Sequence, residues 1–325
     1  IDIFDREKNL LTQAANNNQC RLHMGFHYPR SPETIKQTIE GFTLFYNEFS
    51  DCVYFPKKNY YAVRKDGNVN FSQYISAMDE FDLEYEVCEK KQIPYLKNMD
   101  LIEGIINTGE GVINLPKLRR NLLNKLDANI CCNSNVTAVD SNDGVIIAND
   151  RINGPYDFII NTTYIDPNLG LTKDKLYEVK FELAAMVLIN APFGEDVALT
   201  VMDGEYVSLY PCGYGLATLS SVTHTPFLHY DTIMDLVSKL PEARKIAEKN
   251  NVTSSILDHA KEIINFDNQN LDVRGLWISP KCKIKDDIGN TRISDIRSFE
   301  RVISVLCGKL DSVHSITNRV LEFIR

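Results

Sequence analysis

Apolar residues recur along this chain with two rhythms, and the switches between them mark its elements. In PETIKQTIEGFTLFYNEF (32–49), Ile35, Ile39, Phe42, Phe45 and Phe49 fall on one helical face. Ser31 stands at the cap position and Pro32 opens the first turn, so a helix is predicted there. The same spacing returns in LPKLRRNLLNKL (115–126), where five leucines form a broad apolar face behind Pro116. Residues 71–100 read as helical with acidic patches, 231–265 as two helices, and 311–324 as a closing helix after a strand at 302–306.

Between these stretches the period drops towards two. IDIFD, at the start, reads as a short strand with Asp5 at its carboxyl edge. CVYFPKKNYYAVRKDGN reads as strand, turn, strand. ANICCNSNVTAVDS, GVIIAND and PYDFIINTTYI predict a three-stranded meander, broken at 142–144 and 153–155 by Asn, Asp, Gly and Pro. YEVKFELAAMVLINA, the strand pair within 198–222 and LDVRGLWISPKCKI add further strands. Strands and helices mixed throughout predict an α/β or α+β chain.

Composition narrows the function classes. With 44% hydrophobic and 24% charged residues, the 325-residue chain is ordinary for a globular protein large enough for two domains. A net charge of −9 repels a phosphate backbone, which argues against a nucleic-acid partner. No apolar run approaches the length of a membrane span, and no basic region followed by an apolar stretch opens the chain. The eight cysteines form no C-x-x-C pair, so neither a zinc site nor a disulfide framework is expected. Reduced cysteines and a cytoplasmic location are the expectation.

Two stretches carry candidate chemistry. NNNQCRLHMGFHYPR (16–30) gathers three consecutive asparagines, two histidines, two arginines and a tyrosine within fifteen positions. ISVLCGKLDSVHSITNRV runs from strand to helix through Gly308 and Lys309, where free backbone N–H groups and a lysine suit an anion or an electron-rich oxygen. No G-x-G-x-x-G is present. The nearest match, Gly109 and Gly111 followed by Asn114, reads as a turn entering the next helix.

Together these pieces resemble the FAD-dependent oxidoreductases of the D-amino-acid oxidase type, most nearly the branch holding L-2-hydroxyglutarate oxidase and glycerol-3-phosphate dehydrogenase. Asn18, His23, Gly25 and Tyr28 match that branch's Asn-Ser-Gly-x-x-His-x-Gly-x-x-Tyr run; Gln19 and Cys20 depart from its Ser-Gly. CGKLDSVHSITNRVLEFI is similar to its Gly-Gly-Lys-Leu-Thr-Thr turn and final helix, with Cys307, Asp311 and Ser312 as departures. Thr162 and Thr163 stand where the family has Ala-Gly. Residues 176–275 agree in layout rather than in motif.

The resemblance implies an α/β fold. It would comprise an incomplete Rossmann-like FAD-binding domain (1–50, 109–175 and 276–325) and an α+β substrate domain with an antiparallel sheet (51–108 and 176–275). It makes IDIFDRE the second strand of the dinucleotide fold, with Asp5 placed for the adenosine ribose. The first strand, its glycine-rich turn and its helix then belong upstream of residue 1; natural loss of that loop is the alternative. FAD is the implied cofactor, with Asp5, Asn17, Asn18, Val136, Thr162, Thr163, Gly308, Lys309 and Leu310 as binding candidates.

The implied reaction is hydride transfer from a CH–OH or CH–NH bond of a small polar substrate, such as a 2-hydroxy or amino acid, to an unnamed electron acceptor by way of the flavin. His23 is the candidate base or substrate contact, with Tyr28 beside it. Arg30 and Arg292 are candidate carboxylate clamps, or simple ion pairs, Arg30 with Glu33. Alternation is expected to place only one of His27 and Tyr28 towards the flavin, with His27 facing away. Tyr210, Tyr214 and His224 are read as core or pocket lining. A non-catalytic relative acting as a binding module and an NAD(P)-dependent dehydrogenase are the rival readings.

Overall fold

The computed structural model describes residues 1–267, 269–285 and 294–325. Seven α-helices occur among them: α1 (Pro32–Phe49), α2 (Phe71–Asp79), α3 (Leu115–Lys125), α4 (Ile233–Lys239), α5 (Ala243–Lys249), α6 (Val252–Ile263) and α7 (Val313–Ile324). α1 starts where its signals sit. The Ser31 hydroxyl accepts the Thr34 N–H, Pro32 occupies the first turn, and Ile35, Phe45 and Phe49 are buried. α3 is capped in the same manner by Asn114, which accepts the Lys117 N–H at 3.0 Å.

The helix expected across 71–100 is confined to its first nine residues. An Asn70–Gln73 capping box starts α2, but Asp82 turns into the left-handed region, and Tyr85–Val87 pairs as an edge strand with Ile102–Thr108. Sheet pairing overrides local helix preference there. Residues 231–265 form three helices rather than two, because Pro241 cannot continue α4.

A nine-stranded mixed sheet dominates the chain. Its order is Pro226–Tyr230, Val179–Asn190, Leu216–Ser221, Val207–Gly213, Val197–Met202, Lys58–Arg64, Ile102–Thr108 and Tyr85–Val87, with Val273–Ile284 paired along Val179–Asn190. Helix α6 covers one face through Val252, Ile256, Ala260 and Ile263. The other face looks towards α1 and the 16–30 loop. Arg21–Leu22 forms a small sheet there with Gly111–Ile113 and Val53–Tyr54.

The expected meander is redistributed. Val136–Asp140, Val145–Ala148 and Arg151–Asn153 make the antiparallel three-stranded sheet. Asn129–Cys131 instead runs parallel to Asp2–Phe4, and Ile159–Asn161 runs parallel to Val302–Leu306. Short apolar strands of this kind cannot declare their partner from local pattern, because pairing is set by long-range topology. Neither Asp2–Phe4 nor Ile159–Asn161 has a second strand partner among the described residues. Tyr156 spans between them, its hydroxyl donating to Asp2 Oδ2 at 2.7 Å and its ring meeting Phe4 edge-on.

α1 and α7 meet at Gly41, where a Cβ would lie 2.5 Å from the backbone oxygen of Asp311. Backbone cannot yield as a flexible side chain would. Gly41→Ala is therefore expected to cost about 1–3 kcal/mol through displacement of the 308–312 segment. Denaturant unfolding beside the native chain checks this; an unchanged midpoint would mean the helices are free to separate.

Candidate active site

One large cleft of about 2210 Å³ runs between these layers. Asp5, Val136, Thr162 and Thr163 lie along it, as do Asn17, Asn18, His23, Tyr28, Arg30, Gly308, Lys309 and Leu310. The described candidates from both ends of the chain thus share one concavity. Arg292 lies outside the described residues. The volume exceeds the roughly 300–1,000 Å³ usual for one drug-sized ligand, leaving room for a dinucleotide together with a substrate.

The crowd of amides at 16–19 serves chiefly to shape the wall. The Asn18 side chain donates to the Ala14 and Ala15 carbonyls and accepts the Cys20 N–H at 2.8 Å, closing the loop on itself. Asn17 Nδ2 donates to the Ile278 carbonyl, and Ser279 Oγ donates to the Asn17 carbonyl. Gln19 Nε2 donates to Ser220 Oγ at 2.7 Å. The loop is therefore stitched to the large sheet on two strands. Cys20 adopts φ +60°, the left-handed conformation that glycine favours.

Beneath the loop lies a buried charge cluster of which sequence reading recovered only His23. Arg21, on strand Arg21–Leu22, has a nearly inaccessible side chain. It donates to Tyr61 Oη at 2.7 Å, Thr200 Oγ1 at 2.9 Å and Ser208 Oγ at 2.8 Å, and its guanidinium carbon stacks 4.1 Å from the Tyr210 ring centroid. Glu110, fully buried, accepts the Tyr61 hydroxyl at 2.5 Å and the Met24 N–H at 2.9 Å. Its carboxylate is 3.9 Å from Arg21 Nη1 and 3.5 Å from His23 Nδ1, ion-pair rather than hydrogen-bond distances. Glu110 sits between Gly109 and Gly111, inside the stretch read as a mere turn. An acidic residue flanked by glycines just before an apolar strand was the available signal.

Burial sets the protonation states and charge modifies them. Desolvation is the largest influence on Glu110 and pushes its carboxyl up. The contacts and charges of His23, the charge of Arg21 and the Tyr61 hydrogen bond outweigh it and hold the carboxyl below its ordinary value. Desolvation likewise lowers His23, aided by Arg21 and opposed by Glu110, so the imidazole is neutral near pH 7 and free to accept a proton. Glu110 gains stability from ionisation in the fold. That contribution is present above the ordinary glutamate value and is lost as pH falls through the lowered native one.

The remaining candidates fall as follows. His27 does not turn away: it lines the cleft, its ring 5.6 Å from that of His23 and its Nδ1 3.5 Å from Arg21 Nη1. Residues 25–28 form a turn, with Gly25 at φ +120° and the Tyr28 N–H on the Gly25 carbonyl, so the strand alternation expected to send only one of His27 and Tyr28 towards the site does not apply. Tyr28 lies against both imidazoles. Arg30 pairs with Asp203, Nε to Oδ2 at 2.6 Å, rather than with Glu33. Lys309 is nearly buried, donates to Thr38 Oγ1 at 2.8 Å and lies 5.2 Å above the Tyr28 ring centre. α7 begins only at Val313, so Gly308 and Lys309 stand ahead of its first turn rather than in it.

Removing one member of the buried pair leaves the other uncompensated. Arg21→Met is expected to cost about 3–5 kcal/mol, and Arg21→Met with Glu110→Gln to cost less than the sum of the single changes. A double-mutant cycle by denaturant unfolding measures the coupling; strict additivity would show that the two charges do not sense one another.

No protein-family model matches the chain. The FAD-dependent monooxygenase FPY4 of Fusarium mangiferae is 26% identical over 330 residues, covering 100% of this chain and 84% of that protein. Among solved structures, L-α-glycerophosphate oxidase from Mycoplasma pneumoniae, determined with FAD bound, superposes with a TM-score of 0.70 at 16% identity, covering 98% of this chain and 87% of that one. Glycine oxidase from Geobacillus kaustophilus gives a TM-score of 0.68 at 11% identity, covering 98% and 88%. The chain has the mixed α/β fold of FAD-dependent oxidases.

Proposed function

We propose that the chain is an FAD-dependent oxidoreductase that oxidises a CH–OH or CH–NH bond of a small polar substrate, with His23 as base. The observation that carries the reading is a half-buried histidine on the wall of a dinucleotide-sized cleft, its Nδ1 3.5 Å from the buried Glu110 carboxylate. FAD supplies the acceptor for the substrate hydride when bound. Asp5 and Val136 would hold it at one end of the cleft, Thr162 and Thr163 beside them, and the 16–19 loop with Gly308, Lys309 and Leu310 at the other. Gly308 fits that task because a Cβ built on it meets only the Tyr164 hydroxyl, at 3.9 Å, so the backbone there can be approached closely.

The rest of the chemistry belongs to the chain's own side chains. Glu110 faces Nδ1 of His23, which leaves Nε2 to take the proton of a substrate hydroxyl or ammonium. The imidazolium so formed is stabilised by the carboxylate behind it, in the way an acidic residue supports a catalytic base elsewhere. Tyr28 restricts the ring from the side. Arg30, on the rim, is committed through Nε to Asp203 and is better suited to shaping the entrance than to clamping a carboxylate.

The edges of Asp2–Phe4 and Ile159–Asn161 that no strand pairs among the described residues, both on the cleft, suit one further parallel strand leading into a glycine-rich turn and helix, the element that would cradle a pyrophosphate. A chain extended by such an element should bind FAD more tightly than residues 1–325 alone.

The test is the visible spectrum of the extended protein with added FAD, followed by anaerobic bleaching with candidate hydroxy and amino acids. His23→Gln should retain the flavin and slow bleaching by about 10²–10⁴-fold. An extended protein that takes up no FAD would sink the proposal and favour a binding module. Bleaching at the native rate in the His23 variant would remove His23 from the chemistry.

A further inference from the structure

The last two residues of strand Leu216–Ser221 are pinned from opposite sides. Successive side chains on a strand point to opposite faces. Ser220 turns to the cleft, where its hydroxyl accepts Gln19 Nε2 at 2.7 Å. Ser221 turns to α6, where its hydroxyl lies 2.8 Å from His259 Nδ1. One strand end thus joins an imidazole on the covering helix to the 16–19 loop.

The hydrogen-bond count at Ser221 fixes the direction of each bond. Its Oγ accepts the His224 N–H at 3.2 Å, and among the described residues His259 Nδ1 is the acceptor that remains for its own proton. His259 therefore carries its proton on Nε2. The turn is closed further by the Ser221 N–H on Thr225 Oγ1 at 3.0 Å and the Thr225 N–H on the Ser221 carbonyl at 2.8 Å. Adding a proton to Nδ1 would aim two N–H groups at one hydroxyl oxygen. It would also strip the hydroxyl proton of its acceptor at a residue only 1% exposed. A second imidazole, His224, stands perpendicular to His259 with ring centres 5.6 Å apart.

We propose that His259 is a positioning residue for the cleft: through Ser221 and Ser220 it fixes Gln19, and it does so only while its imidazole is uncharged. That Gln19 faces a cofactor rests on the functional reading above; the latch itself does not.

The charged surroundings agree with this. Burial is the largest influence lowering His259 from its ordinary value. His224 and Arg64 push in the same direction, against Glu262 on α6 and Glu205 in the turn before Val207–Gly213. A lowered native imidazole means that the unfolded or unlatched chain binds the proton more tightly. The latch is at full strength above the free-imidazole value of about 6.5 and weakens as pH falls below it towards the lowered native value.

Histidine-selective NMR titration of the 325-residue protein, combined with hydrogen exchange of residues 16–22 at pH 5.5 and 7.5, tests the proposal. In the native chain, exchange of 16–22, corrected for intrinsic rate, should be about tenfold faster at the lower pH. In His259→Gln that difference should vanish. In Ser221→Ala, His259 should titrate at higher pH than in the native chain, whereas Ser221→Thr, which keeps the hydroxyl, should leave it near the native position.

An unchanged His259 titration in Ser221→Ala, or equal protection of 16–22 at both pH values in the native chain, would overturn the latch. Failure of the extended protein to bind FAD, with these results intact, would overturn the functional reading and leave the latch standing.

Discussion

A guanidinium and a carboxylate removed from water 3.9 Å apart set the terms for the rest of this molecule. Arg21 reaches across from the loop layer to hydroxyls on three strands of the large sheet, Tyr61, Thr200 and Ser208. Such a charge is tolerated in a dry interior when directional bonds and a nearby counter-charge offset its desolvation; here Nη1 and Nη2 are bonded, while Nε has no hydrogen-bond partner among the described residues. Glu110 supplies the counter-charge, and the hydroxyls supply the directional bonds. Because the partners come from separate strands, the balance holds only when the loop layer and the sheet are docked in one register. The same carboxylate then faces His23, so the group that neutralises the interior charge also governs the candidate base.

The cleft walls follow from that docking. Asn17, Asn18 and Gln19 hold the loop on the sheet with side-chain amides, spanning sequence separations of about 200 to 260 residues where they leave the loop. Glycine-like backbone at Cys20 and the positive φ of Gly25 turn the chain so that His23, His27 and Tyr28 crowd on one side. What reads in sequence as a dense polar patch is therefore largely scaffolding, with His23 as its reactive part in the proposed function.

Local signals were legible where physics is local. Ser31, Pro32 and Pro116 placed the starts of α1 and α3 because such signals act within one turn. The convergence of 16–30 with 307–310 was legible only through resemblance of motif. Arg21 and Glu110 were not found: a lone arginine and a glutamate between glycines carry no period, and their meaning lies in contacts about ninety residues apart in the chain. The meander was misassigned for the same reason, since Ile159–Asn161 finds its partner more than 140 residues away. His27 was misjudged because strand alternation was assumed between His27 and Tyr28, where the chain makes a turn.

The contact at Gly41 has a mechanical side. With no side chain there, the backbone of α1 and that of the 308–312 segment touch directly, and α7 cannot slide along α1 without driving a carbonyl into a Cβ of a neighbouring turn. The 23–31 wall, which leads into α1, is thereby tied to the 308–311 wall of the cleft by backbone packed on backbone. The opposite wall includes the strand Val273–Ile284 and the turn after Ser221. Those parts are fastened to the loop by a few side-chain hydrogen bonds rather than by backbone in contact with backbone.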